Sequence, residues 1–248
     1  MAPDSATQFI GVHDSGVDCP ALALTRTLDL PRLHAPPEHG FYLAALHGCL
    51  TLCRAGEPAQ HGLTVDFAAA DLRRRVAAGR RSLLARALGL HRRPEIRVID
   101  ATCGLGRDSA VLAGLGCEVI ALERHAALHA LVADGLRRNP VARLTVRHAD
   151  ASAWIEQQDP AVDAIYIDPM FDNARRKARP RRQLQWLGEL IGPDADAAEL
   201  LATARRHATR RVVVKRHARS VPLAPPDLQF GGGKAVRFDV YLSASQDL

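Results

Sequence analysis

The fold is decided by the stretch Val98-Ile99-Asp100-Ala101-Thr102-Cys103-Gly104-Leu105-Gly106-Arg107-Asp108. An apolar run ends at Asp100, a Gly-x-Gly turn follows, and a helical pattern begins at Arg107. This order predicts a strand, a tight loop and the start of a helix, an arrangement that holds nucleotide-like cofactors. Taken alone it is a weak signal, because glycine-rich strand-to-helix turns serve several cofactors.

Strand and helix patterns alternate from residue 96 to the end of the chain. The predicted strands cover residues 97–100, 118–123, 144–148, 164–168 and 211–215, with a terminal hairpin at 228–230 and 235–242. The predicted helices cover residues 107–115, 126–138, 151–158, 184–190 and 196–209. This alternation predicts a mostly parallel seven-stranded α/β sheet with helices on both faces. The antiparallel strand of the hairpin favours a methyltransferase-type sheet over the all-parallel dehydrogenase type.

The first part of the chain has a different pattern. Residues 1–66 are rich in Pro and Gly, and short strands are predicted at 41–46, 49–54 and 63–67. Residues 68–90 have helical periodicity that is interrupted at Gly79. We therefore expect a small N-terminal α+β lobe at 1–66, followed by the larger α/β domain at 67–248.

The composition is basic, which is compatible with a nucleic acid partner but does not decide for one. The chain has 33 Lys+Arg against 27 Asp+Glu and a net charge of +6, and the excess is mostly arginine. Arginine suits phosphate recognition, so one interpretation is a nucleic acid partner. The other is a GC-rich genome that encodes Arg in place of Lys. Five cysteines lack disulfide or zinc spacing and predict reduced thiols in the cytoplasm. No signal peptide or membrane span is expected.

Acidic residues stand at the ends of four successive predicted strands: Asp100, Glu123, Asp150 and Asp168. One such residue is more often an ordinary helix cap or strand terminus. Four in succession reverse that preference, because ligands bind beyond the carboxyl ends of parallel strands. A carboxylate at Glu123 can accept hydrogen bonds from two ribose hydroxyls, and one at Asp150 can accept them from an adenine amino group.

The glycine turn also discriminates between cofactors. Gly104 and Gly106 are followed by Arg107 and Asp108, with no third glycine where a dinucleotide site needs one. A cofactor without phosphates does not need that close backbone approach. S-adenosylmethionine fits better, since Arg107 could pair with its carboxylate and Asp108 with a cationic or amide group.

The motif Asp168-Pro169-Met170-Phe171 predicts the chemistry. It resembles the Asp/Asn-Pro-Pro-Tyr/Phe loop of methyltransferases that act on exocyclic amino groups. Asp168 and the Pro169 carbonyl can accept the two N–H bonds of such an amine, which localises its lone pair, and Phe171 can stack on the base. Proximity, orientation and electrostatics then suffice for catalysis, and no metal is expected.

Together these motifs resemble the ribosomal RNA small subunit methyltransferase J family, over about the last three quarters of the chain. The resemblance is carried by residues 65–67, 100–108, 116–117, 122–124, 134–136, 166–171, 212–216 and 237–241. It implies a Rossmann-like class I methyltransferase fold and methyl transfer from S-adenosylmethionine to a guanine N2 amine of 16S rRNA. With the strand-end argument, it implies cofactor contacts at Asp100, Gly104, Gly106, Arg107, Asp108, Glu123, Arg124, Asp150, Ala151 and Asp168.

A basic run follows the catalytic motif. We expect Arg175, Arg176, Lys177 and Arg179 to bind the RNA backbone while the target guanine is extruded. Lys215 ends a predicted strand, where a structural ion pair and a role in the site are equally plausible. The predicted partner is small-subunit rRNA or an assembling 30S particle, and the protein is expected to be a cytoplasmic monomer.

Two alternatives stay open at this point. One is methylation of another amine, such as adenine N6 in DNA or RNA. The other is a non-catalytic RNA-binding protein that kept the cofactor fold.

Overall fold

The computed structural model describes residues 8–14, 20–93, 95–157, 162–170, 182–231, 233 and 235–243. Eleven strands and eight α-helices follow one another along these residues. In chain order they are β1 Phe9–His13, α1 Pro20–Ala23, β2 Arg32–Leu33, β3 Phe41–Leu46, β4 Cys49–Arg54, α2 Ala70–Ala77, α3 Leu83–Ala87, β5 Arg97–Asp100, α4 Arg107–Gly114, β6 Glu118–Glu123, α5 Ala126–Arg138, β7 Leu144–His148, α6 Ala151–Glu156, β8 Val162–Ile167, α7 Arg182–Ile191, α8 Ala197–His207, β9 Ala208–His217, β10 Leu228–Gly231 and β11 Val236–Leu242.

These elements form two compact units. The smaller unit is made of described residues within 1–66, 125–140 and 170–193. The larger unit is made of described residues within 67–124, 141–169 and 194–248. The smaller unit therefore includes helices α5 and α7 from the second half of the chain. The sequence pattern predicted these helices but carried no signal for their grouping with residues 1–66.

The larger unit is built on a seven-stranded sheet in the order β10-β11-β9-β8-β5-β6-β7. Strand β11 runs antiparallel to β9 and β10, and the other neighbouring pairs are parallel. From β5 the chain proceeds through β6 to β7 on one side, and then crosses to β8 on the other. The carboxyl ends of β5 and β8 thus form a topological switch point, which is where such sheets bind ligands.

The central strands are apolar because both of their faces are covered. Ile99 of β5, Ile165 and Ile167 of β8, and Val212 and Val214 of β9 belong to one buried cluster. Continuous β-branched runs of this kind are what parallel sheets require. This core holds the strand ends rigidly and so positions the polar residues that follow them.

The smaller unit contains a four-stranded sheet in the order β2-β1-β3-β4. Its β3–β4 hairpin joins Leu46 to Cys49 through His47 and Gly48, whose φ angles are 50° and 76°. Two residues with positive φ make the type I′ turn that suits the twist of a hairpin. Helix α5 packs on this sheet, and the backbone N–H of Leu50 donates to the buried carboxylate of Asp134 at 2.9 Å.

Two local features differ from the sequence prediction, and a third agrees with it. Residues 63–67 were expected to form a strand, but only Leu63 pairs, through an isolated bridge to Leu52. The apolar alternation there reflects side-chain burial without a hydrogen-bonded ladder. Strand β1 was missed, since its Gly11 interrupts the pattern where the pairing with β3 shifts register. As predicted, the helical region 68–90 is interrupted at Gly79, which has a φ of 65° and lies between α2 and α3. Within the described residues, no helix combines the length and apolarity needed to cross a membrane.

Candidate active site

The glycine loop after β5 is held by backbone conformation and by the neighbouring strand. Gly104 and Gly106 have φ angles of 56° and 69°, a region that L side chains rarely adopt. Gly106 is the N-cap residue of α4. The N–H of Gly104 donates to Oε2 of Glu123, at the end of β6, over 2.8 Å. The loop is therefore tied to the acid that the sequence predicted to face a ribose.

Asp100 is buried at the base of this loop. Its carboxylate accepts the Thr102 N–H at 3.1 Å and the Ser109 hydroxyl at 2.5 Å. Burial raises the pKa of Asp100 to about 7, although both hydrogen bonds favour the ionised form. In this structure the side chain joins the end of β5 to the first turn of α4.

Asp168 follows β8 at the switch point and is held through its backbone and through its side chain. Its N–H donates to Oγ1 of Thr102 at 2.6 Å, which links the ends of β5 and β8. Its Oδ2 accepts a hydrogen bond from Nζ of Lys215 at 2.6 Å. The side chain is 37% exposed, and among the described residues no hydrogen-bond partner occupies Oδ1. Desolvation of the carboxylate at this strand end raises the pKa of Asp168 to about 6, against the opposing effect of Lys215.

Lys215 of β9 bridges two carboxylates. Besides Asp168, its Nζ donates to Oδ2 of Asp108 at 3.0 Å. Asp108 also accepts the Tyr166 hydroxyl at 2.5 Å and a hydrogen bond from Arg75. Burial tends to raise the pKa of Asp108, but Lys215 and Arg75 outweigh it and hold this pKa well below its usual range. Burial tends to lower the pKa of Lys215, and the two carboxylates raise it overall.

The other predicted cofactor residues have protein partners in the structure. Arg107 pairs with Asp71 of α2. Arg124 pairs with Asp194 and, at 2.7 Å, with Asp196.

Asp150 and Ala151 lie at the start of α6. Asp150 caps the helix by accepting the Ala153 N–H at 2.9 Å, and Ala151 is buried in the core. Asp150 thus has the capping role that the sequence offered as the ordinary alternative. A cap of this kind still leaves a carboxylate at the edge of the sheet where cofactors bind.

Sequence reasoning missed three contributors to this cluster: Thr102, Tyr166 and Arg75. Thr102 and Tyr166 lie two residues from the predicted site residues Asp100 and Asp168, so their position near strand ends was a usable signal. Arg75 had none, since it lies in a helix 33 positions before Asp108. Pro169 is buried beside Asp168. The predicted residues Phe171, Arg175, Arg176, Lys177 and Arg179 lie outside the described residues.

Among the residues that the structure describes, no group of His, Cys, Asp and Glu side chains is arranged to hold a metal ion. The polar groups of the site are carboxylates, one lysine, one tyrosine and backbone amides. Such a set suits an organic ligand that carries both hydrogen-bond donors and a carboxylate.

The comparisons with known proteins identify the family. Residues 26–243 match the model of the SAM-dependent methyltransferase family SAM_MT. A protein named ribosomal RNA small subunit methyltransferase J from Alkalilimnicola ehrlichii is 42% identical, over 92% of each chain. The chain belongs to this family. A relative of the same name from Halorhodospira halophila is also 42% identical and covers 89% of this chain and 88% of its own.

A solved structure agrees with these relatives. The crystal structure of a SAM-dependent methyltransferase from Neisseria gonorrhoeae superposes with a TM-score of 0.71 at 33% identity, over 97% of both chains. The predicted family, fold class, enzymatic activity and cofactor are thereby confirmed. The two alternatives, another amine substrate and a non-catalytic binding protein, are not favoured.

The residues present fit S-adenosylmethionine on chemical grounds. This cofactor offers ribose hydroxyls, an ammonium group and an adenine amine, all of which need acceptors such as Glu123, Asp150 and Asp168. The loop has room for it, since a Cβ built on Gly104 would meet nothing closer than 4.0 Å. Glycine is therefore required at position 104 for its positive φ and not for lack of space. The face of the loop at this position is open to a ligand.

Proposed function

We propose that this protein transfers a methyl group from S-adenosylmethionine to the exocyclic N2 amine of a guanosine in small-subunit rRNA. The observation that carries the proposal is the Asp168-Pro169 strand end at the switch point, with Oδ1 of Asp168 directed to no described partner. An amine-specific reaction needs an acceptor there. The rRNA substrate is supported by the names of the relatives.

We assign the cofactor contacts to the strand-end acids and the loop. Glu123 would accept the ribose hydroxyls, Asp150 the adenine amino group, and the Gly104–Gly106 loop would follow the cofactor closely. The predicted cofactor contacts at Arg107, Asp108, Arg124 and Ala151 stay predictions. The first three of these residues pair with protein side chains in the structure. When bound, S-adenosylmethionine supplies a methyl carbon made electrophilic by its sulfonium.

Asp168 and Pro169 prepare the nucleophile. A guanine N2 amine is a poor nucleophile because its lone pair is delocalised into the ring. Hydrogen bonds from its two N–H groups to Asp168 and to the Pro169 carbonyl would localise that pair toward the methyl carbon. The sulfonium of the bound cofactor would supply the methyl carbon and would take up the electrons of the broken C–S bond. One N–H proton then passes to Asp168, whose pKa of about 6 suits proton transfer near neutral pH, and on to water.

Substrate binding and localisation complete the proposal. Phe171 would stack on the extruded base, and Arg175, Arg176, Lys177 and Arg179 would bind rRNA phosphates. We propose a monomer that acts in the cytoplasm on 16S rRNA or on an assembling 30S particle. Reversing the charges of Arg175, Arg176 and Lys177 should weaken rRNA binding and flatten its salt dependence. Unchanged affinity and salt dependence would exclude this run from the interface.

The function is tested by methyl transfer in vitro. Protein-free 16S rRNA and 30S subunits from a strain lacking the methyltransferase are incubated with methyl-labelled S-adenosylmethionine, and the nucleosides are separated by mass spectrometry. We expect label in N2-methylguanosine. Asp168→Ala should lower the rate by about 10²–10³-fold while S-adenosylmethionine still binds.

Glu118→Gln is a matched control, because Glu118 is an exposed carboxylate at the amino end of β6, away from the strand ends of the site. It should retain full activity. Label in N6-methyladenosine would replace guanine by another amine substrate. Cofactor and rRNA binding without any transfer would make the protein a binding module.

A further inference from the structure

The cluster around Lys215 has a feature that methyl transfer alone does not explain. One ammonium group is shared by Asp168, which the proposed function assigns to the substrate amine, and by Asp108, which has two further donors. The three side chains come from β9, from the residue after β8, and from α4. The ammonium group therefore links two carboxylates that lie in different surroundings.

We propose that Lys215 is a positioning residue, anchored by Asp108, that holds Oδ2 of Asp168 and leaves Oδ1 to accept the N–H of the substrate amine. The geometry supports each part. Nζ of Lys215 lies 2.6 Å from Oδ2 of Asp168 and 3.0 Å from Oδ2 of Asp108. The Thr102 hydroxyl accepts the backbone N–H of Asp168 at 2.6 Å, so this residue is held at its backbone and at one carboxylate oxygen.

Asp108 acts as the anchor because three donors hold its carboxylate. Tyr166 donates to its Oδ2 and Arg75 to its Oδ1. A carboxylate with three donors is fixed in orientation and stays ionised, so it holds the ammonium without competing for the substrate. Asp168 has fewer partners, and its side chain is the more exposed of the two.

The charges around Asp168 set its protonation. The titratable and charged groups that face it from neighbouring elements are Lys215, Asp108, Arg75, Asp100 and Tyr166. Burial and Asp108 raise the pKa of Asp168, and Lys215 and Arg75 lower it, with a result of about 6. Lys215 thus keeps Asp168 ionised at neutral pH, the form that accepts an amine N–H.

The first experiment needs no substrate. The carboxyl carbons of aspartate are labelled with ¹³C in the full chain, the Asp168 signal is assigned with Asp168→Asn, and its titration is followed by NMR. In Lys215→Met the midpoint of Asp168 should rise by about 1 to 3 pH units, because an opposite charge is lost. In Asp108→Asn it should fall, because a like charge is lost. In Lys215→Arg it should stay close to the wild-type value.

A lysine with a merely structural role would lower the melting temperature of Lys215→Met and, like any close cation, would move the Asp168 midpoint on removal, but kcat per folded molecule would stay unchanged. Equal midpoints in the wild type, Lys215→Met and Asp108→Asn would overturn the proposal. If Lys215→Met does not fold, the proposal is tested by the other two variants. It requires a lower Asp168 midpoint in Asp108→Asn and an unchanged one in Lys215→Arg.

The second experiment measures catalysis and rests on the proposed function. For a shift of about two pH units, kcat of Lys215→Met at pH 7 should fall about tenfold and recover at alkaline pH, with KM for rRNA little changed. Lys215→Arg should restore most of kcat. A loss confined to KM, or one that persists at alkaline pH, would contradict the positioning role. If the wild type methylates no RNA, the proposed function fails, while the NMR titration still decides whether Lys215 sets the state of Asp168.

Discussion

Asp134 in the smaller unit and Asp168 in the larger unit are both carboxylates paired with basic side chains, but they are satisfied to different degrees. Asp134 is fully buried and accepts the Leu50 N–H together with hydrogen bonds from Arg137 and Arg138, which occupy both of its oxygens. Asp168 is partly exposed and has a described side-chain partner at one oxygen only.

This difference separates a carboxylate that stabilises a fold from one that is available for chemistry. Asp134 joins helix α5 to strand β4 within its unit. Both of its buried carboxylate oxygens accept hydrogen bonds from protein donors. Asp168 keeps acceptor capacity at a strand end where the sheet binds ligands. The number of internal donors on a buried carboxylate is thus as informative as its burial.

The largest expected effect is on stability, at Asp134. Asp134→Ala leaves two arginines and a buried N–H without their acceptor, and should lower the free energy of unfolding by about 3–5 kcal/mol. Methyl transfer per folded molecule should be unchanged. Urea unfolding followed by circular dichroism measures the loss, and Asp66→Ala, at an exposed carboxylate of the same unit, is the control. A stable but inactive Asp134→Ala protein would remove the distinction between the two sites.

The next effect is on the pH dependence of stability, at Asp100. Because burial raises its pKa from 3.8 to about 7, the folded state binds more protons than the unfolded state between these pH values. Stability contributed by the protonated form is therefore lost as pH rises through this window, with a slope of at most about 1.4 kcal/mol per pH unit.

Asp100→Asn removes this ionisation, and its amide can still serve Thr102 and Ser109. The unfolding free energy of Asp100→Asn minus that of the wild type should therefore increase as pH rises from about 4 to about 7. Denaturant unfolding at several pH values makes the comparison. Parallel curves for the two proteins would show that Asp100 titrates alike in the folded and unfolded states.

A smaller effect is expected at Tyr166, which donates to the anchor carboxylate. Tyr166→Phe removes a hydrogen bond to a charged group and should lower the free energy of unfolding by about 1.5–3 kcal/mol. It should change kcat less than Lys215→Met does, because the lysine remains. Tyr42→Phe, in the sheet of the smaller unit, is a comparison for losing a phenol hydroxyl. A greater loss of kcat in Tyr166→Phe than in Lys215→Met would place the tyrosine, rather than the lysine, next to the reacting amine.

The smallest effect separates a helix cap from a cofactor contact. Asp150→Ala and Ser82→Ala each remove an N-cap hydrogen bond, from α6 and α3 respectively, and each should cost about 1 kcal/mol of stability. Only Asp150→Ala should also weaken S-adenosylmethionine binding, measured by calorimetry. Equal cofactor affinity in the two variants would reduce Asp150 to a cap.

Much of the fold was predictable because its signals are local. Helix α5 was predicted at its observed bounds, and the strands of the larger sheet at nearly theirs, since apolar periodicity and Gly or Pro breaks are read within a few residues. Strand β1 and the extent of the smaller unit were not predictable. The pairing of β1 with β3 joins Phe9 to Phe41, and no periodic pattern connects them.

The candidate site divides in the same way. The sequence alone determined that acids stand at four strand ends beside a glycine loop, because strand ends and turns are local properties of the chain. Only the tertiary structure decided how those acids are charged and which of them stays available. Lys215 is 107 positions from Asp108 and 47 from Asp168, and the sheet order that brings β9 beside β8 creates their shared hydrogen bonds. Ionisation depends on burial and on charges a few ångströms away, and those distances exist only after the strands have paired.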